Sequence, residues 1–252
     1  MINLLRAELF KLQKDRVFRT LLLMLVVAAI GYVLLTYYDD ISGGTTTTGV
    51  EFLLEAIAGN TYIMKLGVSI LAGFFIASEY STGVMKTIAS SGNSRGRLFA
   101  AKLVGFSIGG MMIALIFPAL ATLTGSLLSG FGQLPDGASA SFIVRVFGLT
   151  LLYAVGFSII AALFATLLPE SGKVIGFSII FFLMIDSLWA AIGSHIPLFM
   201  TMYKYSIFGM LGHIVDIRLE GGQMATIWLV PLLTIGLVGL LGYAAYRRKE
   251  IK

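Results

Sequence analysis

At 252 residues, of which 58% are hydrophobic and 12% charged, the chain carries about half the charge of a typical soluble domain and reads as an integral membrane protein. Its formal charge of +5 sits in short clusters beside apolar runs, which points to topology and lipid headgroups and argues against nucleic acid as a partner. The absence of cysteine rules out disulfides, thiolate metal sites and cysteine nucleophiles.

Within residues 1–16, Ile2, Leu5, Leu9 and Leu12 recur at helical spacing, with Glu8, Lys11, Lys14 and Asp15 on the other side. This pattern predicts an amphipathic interfacial helix in the headgroup plane, although Leu4 and Phe10 fall off the apolar stripe. The apolar run at 17–38 is longer than the ~7–15-residue core of a secretory signal and is expected to remain as an uncleaved first span. Further runs long enough to cross a ~30 Å hydrocarbon core occur at about 62–78, 98–128, 142–168, 174–193 and 225–246. The expected fold is an all-α integral membrane protein, with 1–252 forming a single transmembrane domain of six helices.

Lysine and arginine divide unevenly between the two sides. One side collects the basic residues of 1–19, then Lys86, Arg95, Arg97, Lys102, Lys173 and the C-terminal basic run, whereas the other has only Lys65, Arg145, Lys204 and Arg218. The positive-inside rule therefore places both termini in the cytoplasm. On the opposite face, Asp39, Asp40, Glu51 and Glu55 accompany Gly43, Gly44 and a run of four threonines, the composition of a solvated, flexible loop. The stretch 196–215 is apolar and aromatic but broken by Pro197, Gly209 and Gly212. It is expected to form short helices dipping into the outer leaflet, buried in protein or lining a cavity.

The polar interruption at 79–102 reads most like a mechanism. Glu79, Gly83 and Lys86 are spaced i, i+4, i+7, so on a helix they would form one stripe with a glycine notch between an acid and a base. A turn-rich cluster comes next at 90–94, and then Arg95, Arg97 and Lys102 lead into the third span. Spacing alone is equally compatible with an ordinary hairpin whose basic residues only set topology.

Asp186 is the one carboxylate well inside a predicted span. Burying it is costly, which makes it a candidate for a substrate or cation path; the alternative is a structural hydrogen-bonding role with neighbouring helices. His195 and His213 show no metal-ligand spacing and read as packing or interfacial residues. The spacings of Gly105 with Gly109, and of Gly236, Gly239 and Gly242, permit close helix contact, and Pro118 and Pro231 predict kinks. No phosphate loop, H-E-x-x-H or G-x-S-x-G motif occurs. A membrane enzyme therefore lacks its chemistry, and an ATP-independent secondary transporter or channel would have Asp186 as its one ionisable candidate.

The chain resembles permease subunits of the ABC-2 type of ABC exporter. The resemblance is carried by the opening LLRAELFKLQKDRVF, with an E-x-x-K core at Glu8 and Lys11, and by Glu79-x-x-x-Gly83-x-x-Lys86 followed by Arg95 and Lys102. The family's threonine after the glycine is Val84 here, with Thr82 keeping a hydroxyl nearby. The resemblance implies a non-catalytic subunit of a bacterial plasma-membrane exporter, paired with a second permease, identical or not. It also implies a cytoplasmic coupling hairpin between the second and third helices, contacting a separate ATP-binding subunit together with the N-terminal helix. Glu8, Lys11, Glu79, Gly83, Lys86, Arg95 and Lys102 are the expected coupling residues. ATP and magnesium would sit on the partner, with no cofactor on this chain. The resemblance is to permeases of the antibiotic-resistance, bacteriocin-immunity or sodium-extrusion branches, and the few charges in the spans suit an amphiphilic or apolar substrate such as a drug, peptide antibiotic or lipid.

Overall fold

The computed structural model describes residues 1–84, 94–135, 140–168, 170–219 and 221–248, and among these it contains helices and no strand. In chain order they are α1 (Ile2–Lys14), α2 (Arg16–Gly43), α3 (Gly49–Ser81), α4 (Arg95–Ser129), α5 (Ala140–Leu167), α6 (Ser171–Gly193), α7 (Pro197–Lys204), α8 (Ile207–Leu211) and α9 (Gly221–Arg248). A 3-10 turn, Gly212–Val215, continues from α8. Six helices, α2 to α6 and α9, are long and apolar enough to cross a membrane, as the composition predicts. The most enclosed are α3 and α5, while α2, α6 and α9 present most of their surface outward.

The helix ends obey local chemistry. Asp15 leaves α1 in extended backbone, and its carboxylate accepts the Phe18 N–H at 2.7 Å, capping α2. Glu51 accepts from the Thr48 N–H at 2.6 Å and the Thr48 hydroxyl at 2.9 Å. That capping box starts α3 at Gly49, well before the expected beginning near residue 62. Glu51 and Glu55 consequently lie on a helix and not in the expected outer loop. The Tyr32 hydroxyl donates to Glu55 at 2.6 Å, tying α2 to this extension.

Both prolines within the spans are handled by one device. A proline has no N–H for the carbonyl four residues before it, and an unsatisfied carbonyl at membrane depth is costly. Pro118 frees the Ala114 carbonyl of α4, and Asn60 of α3, fully buried, donates its amide there at 2.7 Å. Pro231 frees the Ile227 carbonyl of α9, and the buried Tyr153 of α5 donates its hydroxyl there at 3.2 Å. Each proline site is thus also a cross-link between helices.

Of the glycine pairs, Gly105 and Gly109 both receive α1. A Cβ on Gly105 would lie 3.0 Å from Glu8 Cβ, and one on Gly109 would lie 3.1 Å from Leu12. On α9 only Gly242 makes such a contact, 3.1 Å from Phe99, while Gly236 faces open space. At the end of the bundle away from α1, α7 and α8 pack under α6 as the short helices expected of 196–215. Phe181 and Phe182 of α6, Phe157 of α5 and Phe208 of α8 form a continuous aromatic cluster there, with Phe157 and Phe208 5.6 Å apart.

Replacing Asn60 by Val should lower stability by about 1–3 kcal/mol through the orphaned Ala114 carbonyl. Pro118→Ala, which restores the intrahelical donor, should remove most of that cost. Thermal unfolding of the two single variants and the double variant in detergent checks both expectations.

Candidate functional site

Four charged side chains from three helices converge at the α1 end of the bundle. The Glu79 carboxylate, at the last turn of α3, is buried on both oxygens, one against the Lys11 ammonium of α1 and the other against Lys102 of α4. Lys102 also reaches both oxygens of Glu8 at 3.3 Å, and Lys11 reaches Glu8 at 3.5 Å. Two acids and two bases therefore form a closed, neutral ring. The Glu79 and Lys102 side chains are 5% and 6% exposed, a burial that only mutual pairing makes tolerable.

Beneath the ring lies Phe75, fully buried, with Lys11 4.5 Å and Lys102 5.6 Å from its ring centroid, within range of a cation–π attraction. Phe75 belongs to a π-helical turn, Ala72–Ala77, inside α3. Such a turn inserts an extra residue into the hydrogen-bond ladder and rotates the rest of the helix about its axis, here placing Phe75 and Glu79 toward α1 and α4. The same turn brings α3 against the start of α6, where a Cβ on Gly73 would lie 2.9 Å from the Ser171 carbonyl. Burial and the neighbouring Lys102 press the Lys11 pKa down from 10.5 to about 8, with Glu8 pulling the other way. At about 8 the Lys11 ammonium still stays mostly charged at neutral pH.

The ring corrects the expected orientation of α1. Amphipathic spacing puts Glu8 and Lys11 on its solvent side, yet they turn inward, while Ile2 and Phe10 are 70% and 62% exposed. Charges offered by α3 and α4 outweigh the apolar stripe, of which only Leu12 is buried.

The predicted stripe of Glu79, Gly83 and Lys86 does not form across its first two members. The helix ends at Ser81, and Gly83 comes two residues later with φ +75°, a left-handed conformation that glycine adopts freely and other residues resist. A Cβ there meets nothing within 4 Å among the described residues, and the left-handed backbone of Gly83 stops the helix instead of opening a notch in it. Lys86 lies outside the described residues. Arg95 stands apart from the ring and donates to the Arg247 carbonyl at 3.0 Å, satisfying the last turn of α9.

Asp186 has its own partner. The Lys65 ammonium of α3, 3% exposed, meets it at 2.5 Å, and the Tyr203 hydroxyl of α7 donates to it at 3.2 Å. Lys65, an outer-face cation by sequence, is a buried counter-ion.

The sequence profile of the ABC-2 family transporter proteins matches residues 4–187, a region that contains most of α1, the ring and the Lys65–Asp186 pair. The chain belongs to the ABC-2 family of transporter proteins. It is a multi-pass membrane protein and a transport permease. No curated protein matches it closely enough to serve as a relative. In this permease the ring unites Glu8, Lys11, Glu79 and Lys102, four of the residues singled out by the resemblance, and adds Phe75, which no motif marks. Lys65 is a further residue that sequence reasoning misses, although an opposite charge in a span near the depth of Asp186 is its available signal.

Glu79→Gln should cost this permease about 3–5 kcal/mol, because it leaves the buried Lys102 and the half-buried Lys11 facing a single carboxylate. Lys102→Met in the same chain should recover most of the loss by restoring neutrality. Denaturation in detergent of the single and double variants measures the difference.

Proposed function

We propose that this chain is the membrane-spanning subunit of an ATP-driven exporter, with α1, the last turn of α3 and the first turns of α4 acting as the element through which a separate ATP-binding subunit moves the bundle. The observation that carries the proposal is the buried ring of Glu8, Lys11, Glu79 and Lys102. A force applied to α1 or to the connection between α3 and α4 would reach all three helices together, because separating them would strand a buried charge. ATP and magnesium would be held by the partner.

The excess of lysine and arginine at the ring end argues for a cytoplasmic location of α1 and of the end of α9, in a bacterial plasma membrane. Just past the ring, Val84 is an apolar side chain left 47% exposed at this end, suited to a contact with the partner. The broad apolar faces of α2, α6 and α9 would meet lipid and a second permease, identical or related, completing the translocation path. Spans with so few charges favour an amphiphilic or apolar cargo such as a drug, a peptide antibiotic or a lipid. An ATP-independent carrier is less well supported, because Asp186 is already neutralised by Lys65.

Gly83→Ala should cost about 1–2 kcal/mol from backbone strain alone, and is therefore a poor probe of coupling. Val84→Glu is a cleaner one. With the ATP-binding subunit present in proteoliposomes, it should leave membrane levels unchanged and lower both transport and substrate-stimulated ATP hydrolysis on the order of tenfold, the scale of a lost interface anchor. Undiminished activity would remove this segment from the coupling element, and ion-gradient-driven transport by the chain alone would contradict an ATP-driven exporter.

A further inference from the structure

Between α4 and α9, with α5 as its floor, runs an outward-open apolar groove of about 580 Å³. Its α4 wall is Ala100, Leu103, Val104, Ser107, Ile108 and Met111, and its α9 wall is Ile235, Gly236, Gly239 and Leu240. From Ala100 to Met111 the helix rises ~16 Å, close to half of a ~30 Å hydrocarbon core. The groove therefore spans one leaflet. Its width comes from α9, where Gly236 has no neighbour within 4 Å and Gly239 just touches Ile159 at 4.0 Å.

Continued toward the ring end, both walls turn basic. One helical turn before Ala100 the α4 stripe reaches Arg97, and one to two turns beyond Leu240 the α9 stripe passes Tyr243 and reaches Arg247. There a second cavity is lined by Tyr243, Ala244, Arg247 and Arg248. The two helices are clamped at this level by the Arg95 bond to the Arg247 carbonyl and by Phe99 stacked 5.3 Å from Tyr246. Arg97, Arg247 and Arg248 take part in none of the ion pairs among the described residues.

We propose that this groove holds one anionic phospholipid of the leaflet at the ring end, with an acyl chain between α4 and α9 and the phosphate at Arg97 and Arg247. An apolar slot one leaflet deep that ends in guanidinium groups outside those ion pairs complements such a lipid in both shape and charge. A second copy of the chain fits less well. In a membrane pair with parallel orientation it would bring the same arginines to the same end, like against like. The inference holds whichever side of the membrane that end faces, and it is independent of ATP coupling.

Native mass spectrometry of the full chain, delipidated and then titrated with phosphatidylglycerol or phosphatidylcholine, tests it. One phosphatidylglycerol per chain should be retained, on the order of tenfold more tightly than phosphatidylcholine. Arg97→Gln with Arg247→Gln should erase that preference, and Gly236→Leu with Gly239→Leu, which project into the open groove, should expel either lipid. Equal retention of the two lipids by the unsubstituted chain overturns the proposal without reference to any variant. So does an unchanged preference in the arginine double variant. Loss of self-association in the glycine double variant, with lipid retention intact, would instead make the groove a chain–chain interface.

Discussion

Burying an ionised side chain costs several kcal/mol unless an opposite charge meets it, and that cost shapes much of the ring end of this permease. Glu79 sits at the end of a membrane helix with both oxygens out of water, and it has two ammoniums for partners. Lys102 is equally enclosed and needs a second acid, which α1 supplies as Glu8. Docking of α1 against Gly105 and Gly109 is thereby both a packing event and a neutralisation. Hydrophobic contact alone would not determine it, since only Leu12 of α1 is buried.

The same logic governs polar groups deeper in the bundle. Lys65 is neutralised by Asp186, and the carbonyls freed by Pro118 and Pro231 find Asn60 and Tyr153. In each case one helix supplies what another lacks, so the helices are held in register as well as in contact. The lipid-facing groove is where this mutual satisfaction stops. There, beyond the Phe99–Tyr246 contact, the small residues of α9 leave space that no side chain of the described residues fills.

Hydropathy and the count of basic residues are enough to read six spans, because length and apolarity are the requirements a bilayer imposes. Span ends are less legible. Residues 49–61 carry Glu51 and Glu55 directly after a glycine- and threonine-rich run and read as its continuation, whereas the Thr48–Glu51 spacing marks a helix start. The site is legible as a set of residues: Glu8, Lys11, Glu79 and Lys102 stand out through family resemblance. Their geometry is not, since an amphipathic projection assigns charges to water and has no knowledge of charges waiting on another helix. A glycine four residues after Glu79 has the spacing of a helix notch, but its left-handed backbone ends the helix there. Phe75 carries no signal at all, because its place under the two lysines depends on a π-helical turn that shifts its register.

The most direct test of this account is amide hydrogen exchange along α1 in lipid nanodiscs. A helix held by the buried ring should exchange as slowly as the first turns of α4, and Glu79→Gln should accelerate α1 by on the order of a hundredfold or more, the equivalent of losing a buried charge partner. The middle of α4 should stay protected and serve as the internal reference. Rapid exchange of α1 in the unsubstituted protein, or protection that Glu79→Gln leaves unchanged, would contradict the claim that the ring binds these three helices into one body.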